Sequence, residues 1–263
     1  MRKFITFVSQ KFVVWKIKFS YRVRCFIGEC CHFFFQCISV ELRGCREHTT
    51  LISNATYSPW MVDSQFCAVM KNIASHSLLD KMRLYELWQL ANQVSHLPGN
   101  AIEVGCWRGG AGCLLATRIT EGTKNVTMFL CDTFRGIVNA GRYDRFYRGS
   151  ELADSSETIV ADLATRMGIQ NVTILTGVFP EETGAQIEGH LFKFAHIDVD
   201  VYQSARDAFE WLLPRLVNGA IVVFDDYGFA STNGVRHFID ELQGRADVVI
   251  IRNINGQAVI IKR

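Results

Sequence analysis

Residues 191–200 read LFKFAHIDVD, and residues 220–226 read AIVVFDD. Each is an apolar run of strand length that ends in carboxylates, Asp198 and Asp200 in the first, Asp225 and Asp226 in the second. Near-continuous apolar runs of this length suit strands buried on both faces, as in a parallel sheet. Between them, YQSARDAFEWLLPRL (202–216) carries helical spacing. Strand, helix and strand in that order require a parallel pair joined by a right-handed crossover.

Reading outward, the alternation continues. AIEV (101–104) is a strand that runs into a glycine-rich turn, and GAGCLLATRI (110–119) is a helix. VTMFLCD (126–132) is a strand and SSETIVADLATRMGI (155–169) a helix with a serine cap at its start. NVTILTG (171–177) is a strand and GVRHFIDELQ (234–243) a helix. Upstream, Leu84, Leu87, Trp88 and Ala91 recur at helical spacing within 78–94. At the end, DVVIIRNINGQAVIIK (247–262) places two β-rich runs around Asn255-Gly256, a hairpin signal. The expectation is an α/β, Rossmann-like fold: a seven-stranded, mostly parallel sheet, closed by a C-terminal antiparallel hairpin, with helices on both faces.

The 263 residues divide unevenly in charge. Residues 1–47 hold nine basic against three acidic residues, so the remainder of a chain of net charge +2 carries −4. Five of nine cysteines also fall in the first 45 residues, and three of the other four (Cys106, Cys113, Cys131) sit in apolar segments. An odd count without regular spacing is no disulfide framework, which favours a reduced, cytoplasmic protein. The organisation expected is a basic, Cys- and aromatic-rich extension over 1–50, a helical lead-in over 51–98 and a sheet domain over 99–263. The extension is too interrupted by Lys16, Lys18, Arg22, Arg24 and Glu29 to span a bilayer. Its basic and aromatic alternation suits peripheral membrane contact through 1–47, beside the blander reading of a partner-facing arm. Nothing points to nucleic acid as a partner.

In open parallel sheets ligands bind beyond the carboxyl ends of the strands, and here four strand ends are polar. The first, EVGCWRGGAG (103–112), spaces Gly105, Gly109, Gly110 and Gly112 unlike a dinucleotide fingerprint. Glu103 adds negative charge where a diphosphate would lie, so a cationic ligand fits better. Asp132, at the second strand's tip, suits two ribose hydroxyls. A nucleoside with a positively charged tail, S-adenosylmethionine, satisfies both. In TGVFPEE (176–182), Phe179 is a candidate to flank the adenine, with Gly177 giving it room and Val178 between them. Asp198 and Asp200 share a face if the strand stays extended, and Asp225 and Asp226 lie at a turn. Four clustered carboxylates call for a cation, and an all-oxygen ligand set calls for a hard one such as Mg²⁺. Asp198, Asp225 and Asp226 are assigned to the metal and Asp200 to the base that takes a proton from an acceptor hydroxyl. The plainer readings are a helix cap for Asp226 and an ion pair with Arg206 for Asp200.

The stretches YSPW (57–60), YELWQLA (85–91), IEVGCWRGGAG (102–112), CDTFRG (131–136), HIDVDVYQSARDAFEWLLPRL (196–216) and VVFDDYG (222–228) together resemble the macrocin O-methyltransferase (TylF/MycF/NovP-type) family of class I S-adenosylmethionine-dependent enzymes. The resemblance runs from about residue 57 to the C-terminus and leaves residues 1–50 unmatched. It implies Mg²⁺ on Asp198, Asp225 and Asp226, Asp200 as base, and donor contacts from Glu103, Gly105, Trp107, Arg108, Gly109, Asp132, Thr133, Phe134 and Asp198, beside Gly177, Val178 and Phe179. It further implies a sugar hydroxyl on a glycosylated small molecule as acceptor, acceptor loops near 137–155 and 228–236, and a homo-oligomer. The competing classes are a metal-dependent glycosyltransferase, since D-x-D can hold a nucleotide sugar through a metal, and a non-catalytic module on the same fold. Tyr227 and His237 stand near the acids in sequence without an assigned role.

Overall fold

The computed structural model describes residues 19, 22–23, 26–31, 47–48, 51, 53, 55–120 and 125–263. Met1–Tyr57 and Ser58–Arg263 form two units. In the first, residues 26–31 are helical; the expected membrane contact of 1–47 falls largely outside the described residues. Among the described residues no helix is long and apolar enough to cross a membrane.

The second unit holds strands β1 (Asn100–Val104), β2 (Met128–Asp132), β3 (Val172–Thr176), β4 (Phe192–Ile197), β5 (Leu216–Phe224), β6 (Val248–Arg252) and β7 (Ala258–Lys262). Its helices are α1 (Ser64–Ile73), α2 (Lys81–Gln93), α3 (Gly110–Ile119), α4 (Glu157–Arg166), α5 (Tyr202–Leu212) and α6 (Asn233–Glu241). The strands form one sheet in the order β3-β2-β1-β4-β5-β7-β6. All pairs are parallel up to β5, and β7 is antiparallel to both β5 and β6. This is the Rossmann-like class expected. The chain order reverses between β1 and β4, the switch point where such sheets open a crevice.

Alternation along the strands sorts the two faces. Ala101, Met128, Leu130, Phe194 and Val223 pack with α1, α2, α3 and α4, whereas Ile102, Phe129, Ala195, Val222 and Phe224 pack with α5 and α6. Phe66 of α1 and Leu84, Leu87 and Trp88 of α2 are fully buried in the first core, so the lead-in helices share a core with the sheet and the division between units falls after Tyr57. Local signals set the helix starts. Asp63, Asp80 and Ser156 accept N–H groups from the first turns of α1, α2 and α4, which satisfies donors that a helix N-terminus leaves free. α5 ends at Leu212, and a short 3₁₀ turn carries the chain through Pro214 into β5.

The register decides where the site lies. Val104 pairs with Cys131 and Ile197, and Ile197 pairs with Phe224. The residues that follow, Gly105, Asp132, Asp198 and Asp225, therefore come out level at one sheet edge.

Candidate active site

Those four strand ends line a cavity of about 310 Å³. Its donor-side wall begins at Gly105, whose φ of +89° is open to glycine. A Cβ there would lie 1.8 Å from the carbonyl oxygen of Asp198, so β1 and β4 approach as closely as backbone allows. Trp107 and Phe134 also take positive φ, at 46° and 50°. Both turns are held by Asp132, whose Oδ2 accepts the Trp107 N–H at 2.7 Å and whose Oδ1 accepts that of Phe134 at 2.8 Å. Each oxygen keeps a further acceptor position for a ligand hydroxyl. Burial raises the Asp132 carboxyl, against these N–H groups, which lower it.

Of the residues expected to meet the donor, Glu103, Gly105, Trp107, Asp132, Thr133, Gly177, Val178, Phe179 and Asp198 line the cavity. Arg108, Gly109 and Phe134 do not. Arg108 turns to Asp154, 2.7 Å away, and lies over the Trp107 ring. Gly109 starts α3 in the left-handed region, and a Cβ on it would strike Val160. Phe134 packs into the first core. Gly177 has another reason than the one expected: its open side is taken by Glu182, whose Oε2 accepts the Val178 N–H at 2.7 Å. Phe179 is buried with its ring edge-on to Trp211, at 5.0 Å.

The acids form the adjoining part of the wall, after β4 and β5. One oxygen each of Asp198, Asp225 and Asp226 falls within 4.8 Å of the others, an all-oxygen set that suits a hard cation. The extended-strand argument for Asp198 and Asp200 fails: β4 stops at Ile197, and Asp200 is left-handed at φ 63°. It reaches the cavity because its N–H donates to Asp226 Oδ2 at 2.9 Å. Arg206 pairs with Glu210 instead of Asp200, and the Asp226 carboxylate binds the Asp200 N–H, not a helix start. Burial and the neighbouring Asp225 push Asp198 well above the ordinary carboxylate range, and burial and Asp200 do the same to Asp226. Burial lifts Asp200 to about 6, against the nearby Tyr147 phenol, which lowers it.

Asp225 is the exception. Burial would raise it, but His196 and Arg83 outweigh that and hold it below its usual range. Arg83, from α2, pairs directly with Asp225 Oδ2, and Gln257 Nε2 donates to Oδ1 at 2.9 Å. His196 Nδ1 meets Glu103 Oε1 at 2.8 Å, while its Nε2 lies 3.8 Å from Asp225 Oδ1, an ionic rather than a hydrogen-bonded distance. Burial lowers the imidazole, but Asp225 and Glu103 raise it to about 10. The sequence reading missed Arg83, His196 and Gln257. The one available signal was polar His196 in a buried strand, in register with equally buried Glu103.

From the expected acceptor loops, Ile137, Val138, Tyr147, Leu152, Phe229, Ser231 and Thr232 line the cavity. Tyr227 and His237 do not; Tyr227 bonds Asp240, and His237 pairs with Glu241 while stacking on Tyr143. The buried thiols of Cys106, Cys113 and Cys131 are all raised by burial, Cys113 to about 12, as core hydrophobes rather than nucleophiles.

Residues 61–263 match the model of the macrocin O-methyltransferase (TylF) family. The chain belongs to that family. It is an S-adenosylmethionine-dependent O-methyltransferase. Among its relatives, the 8-demethyl-8-(2,3-dimethoxy-alpha-L-rhamnosyl)-tetracenomycin-C 4'-O-methyltransferase of Streptomyces olivaceus is 29% identical over 184 residues, 65% of this chain and 69% of that one. The demethyldecarbamoylnovobiocin O-methyltransferase of Streptomyces niveus is 26% identical over 188 residues, 66% and 70% of the two chains. Among solved structures, the O-methyltransferase NovP superposes with a TM-score of 0.61 at 24% identity, over 72% of this chain and 82% of that one. The calicheamicin methyltransferase CalS11 gives 0.59 at 18%, over 80% and 99%. These likenesses agree on the fold; the TylF assignment rests on the family match.

Proposed function

We propose that this TylF-family enzyme methylates a sugar hydroxyl of a glycosylated small molecule and that it depends on Mg²⁺. The observation that carries this reading is one cavity with two chemistries. At one end stand Gly105 and Asp132; at the other, the three clustered carboxylates stand beside Asp200. The two relatives named for a rhamnosyl-tetracenomycin and a novobiocin precursor support the acceptor class.

In this reading Asp132 receives the donor's ribose hydroxyls, and the acidic wall favours its sulfonium over any anion. Asp198, Asp225 and Asp226 would hold the cation, with Arg83 and His196 already balancing part of their charge. When bound there, Mg²⁺ supplies positive charge that makes a nearby hydroxyl more acidic. Asp200 takes the acceptor's proton as the C–O bond forms and the S–C bond breaks with its electron pair left on sulfur. The products are a methyl ether, S-adenosylhomocysteine and a protonated Asp200. Burial raises the Asp200 carboxyl above an ordinary carboxylate, which makes it the better proton acceptor. A metal-dependent glycosyltransferase is the poorer reading, because Asp132, Asp198, Asp200 and Asp226 line the same cavity and disfavour a diphosphate.

The test is calorimetric titration of the full chain with S-adenosylmethionine and with a nucleotide sugar, each with and without Mg²⁺. Saturable binding of S-adenosylmethionine at one site per chain is expected, and turnover of a rhamnosylated acceptor should require Mg²⁺. Turnover undiminished by a chelator would remove the metal from the reading. Binding of the nucleotide sugar alone would replace it.

A further inference from the structure

Arg83 reaches the acid cluster from α2, a helix outside the sheet, and lines the same cavity. Its Nη1 donates to Asp225 Oδ2, while Gln257 Nε2 donates to the other oxygen of that carboxylate at 2.9 Å. We propose that Arg83 sets the cation affinity of the acid cluster: a positive charge fixed at one of the three carboxylates holds that affinity down, so that the ion exchanges readily. The proposal rests on the reading of Asp198, Asp225 and Asp226 as cation ligands.

Three observations support it. First, the guanidinium is held in place independently of Asp225. Asp80 caps α2, its Oδ1 accepting the N–H groups of Met82 at 2.8 Å and of Arg83 at 3.1 Å. Its Oδ2 accepts the side-chain Nε–H of Arg83 at 2.9 Å. The guanidinium also lies over the ring of Phe229, 4.8 Å from its centre. The helix beneath is anchored by Leu84, Leu87 and Trp88, all buried in the first core. A lysine ammonium on a flexible stem would retreat from an arriving ion, but a planar fork tied at Nε and stacked on a ring does not. Second, Asp225 is fixed as well. Gln257 is fully buried, and its amide oxygen accepts from Asn253 Nδ2 at 3.2 Å, so the donor to Asp225 Oδ1 is itself oriented. Each oxygen of Asp225 keeps a further acceptor position, so an ion shares this carboxylate with Arg83. Third, the interaction is poorly screened. The side chains of Arg83 and Asp225 are only 13% and 1% exposed, and charges taken out of water act on one another more strongly than at a surface. The affinity of a carboxylate site for a hard cation follows the charge of its ligand set and its rigidity. Arg83 offsets one negative charge of that set at a fixed distance.

The experiment titrates the full chain with Mn²⁺ alone, a hard cation whose electron paramagnetic resonance signal is lost on binding, so neither donor nor acceptor is needed. Arg83→Met removes the charge and keeps most of the side chain's length. It should bind Mn²⁺ about ten-fold or more tightly than the wild type, at one site per chain. Arg83→Lys keeps the charge and should stay within about three-fold of the wild type. That split separates charge from packing, because a merely structural Arg83 would leave Arg83→Met with unchanged or weaker binding. If Arg83→Met does not fold, Arg83→Gln, neutral and still able to donate to Asp225, takes its place with the same expectation. The gain should vanish when Asp226→Asn is added, since the ion then lacks one of its acids. A folded neutral variant that binds Mn²⁺ no more tightly than the wild type would overturn the proposal. So would a gain that survives Asp226→Asn, which would put the ion elsewhere. Equal affinity across the series would leave the acids standing as a cation site and remove only the role of Arg83. Failure of every protein in the series to bind Mn²⁺ would sink the metal reading and the proposal with it.

Discussion

At the β1–β2 end of the cavity the wall is mostly backbone: tight turns at Gly105, Trp107 and Phe134, drawn together by the two oxygens of Asp132. At the β4–β5 end the wall is side chains: Asp198, Asp200, Asp225 and Asp226, balanced by Arg83, His196 and Gln257. The first end depends on shape, and a change there is felt through sterics. The second depends on charge, and a change there is felt through protonation and ions. That difference orders the expected effects.

The largest belongs to the charged end. Asp200→Asn should lower turnover by about 10²- to 10⁴-fold, the usual contribution of a general base, with donor affinity retained in calorimetry. Donor affinity lost together with turnover would show that the two ends are not independent. Next is the shape-built end. Gly105→Ala forces φ +89° on a residue with a side chain and drives its Cβ into Asp198. Backbone strain alone costs about 1–3 kcal/mol, and the clash adds to it. Denaturant unfolding should show the loss at every pH, which a purely electrostatic change would not.

The charged end should also show in stability against pH. Asp200 sits near 6 in the folded protein, above an unfolded carboxylate at about 3.9. The folded state therefore holds the extra proton, and stability falls as pH rises from about 4 through 6. His196, raised to about 10 from an unfolded value of about 6.5, adds a second loss of the same sign between those limits. Asp225 is depressed and acts oppositely, losing its contribution as pH falls below the carboxylate range. Without divalent cation, Tm should fall from pH 5 to 8 and again toward 10. Asp198 and Asp226, raised by burial, add losses of the same sign, so Asp200→Asn should reduce the first step without removing it, and Mg²⁺ at pH 8 should raise Tm by mass action. A Tm indifferent to Mg²⁺ would argue that Arg83 and His196 suffice to balance the acids.

The same contrast explains what the sequence could carry. Apolar runs in β1, β4 and β5 and the helices between them are local signals, and they led to the sheet, its edge and the acids on that edge. The partners of the acids are not local. Arg83 lies 142 residues from Asp225 in sequence, and nothing near either residue names the other. Periodicity also stops where the backbone turns left-handed. An extended strand would have set Asp198 and Asp200 on one face, but the φ of Asp200 breaks that count, and what restores Asp200 to the cavity is Asp226. In the glycine-rich turn the period cannot say which of Trp107 and Arg108 faces inward.

That last ambiguity yields the smallest and sharpest comparison. The motif reading counts Arg108 and Asp132 alike as donor contacts. The structure sends Arg108 outward to Asp154, an exposed pair of the kind worth about 0–1 kcal/mol, and places Asp132 in the cavity wall with acceptor capacity to spare. Asp132→Asn replaces one acceptor oxygen by a donor nitrogen, so one of the Trp107 and Phe134 N–H groups or a ribose hydroxyl loses its partner. S-adenosylmethionine affinity should drop about ten-fold or more, as a hydrogen bond to a charged group is lost. Arg108→Ala should change that affinity less than about three-fold, since the side chain is held by an exposed pair rather than by the cavity. Equal losses from the two variants would mean that Arg108 swings inward when the donor binds, and the turn would then have to be counted as a moving part of the site.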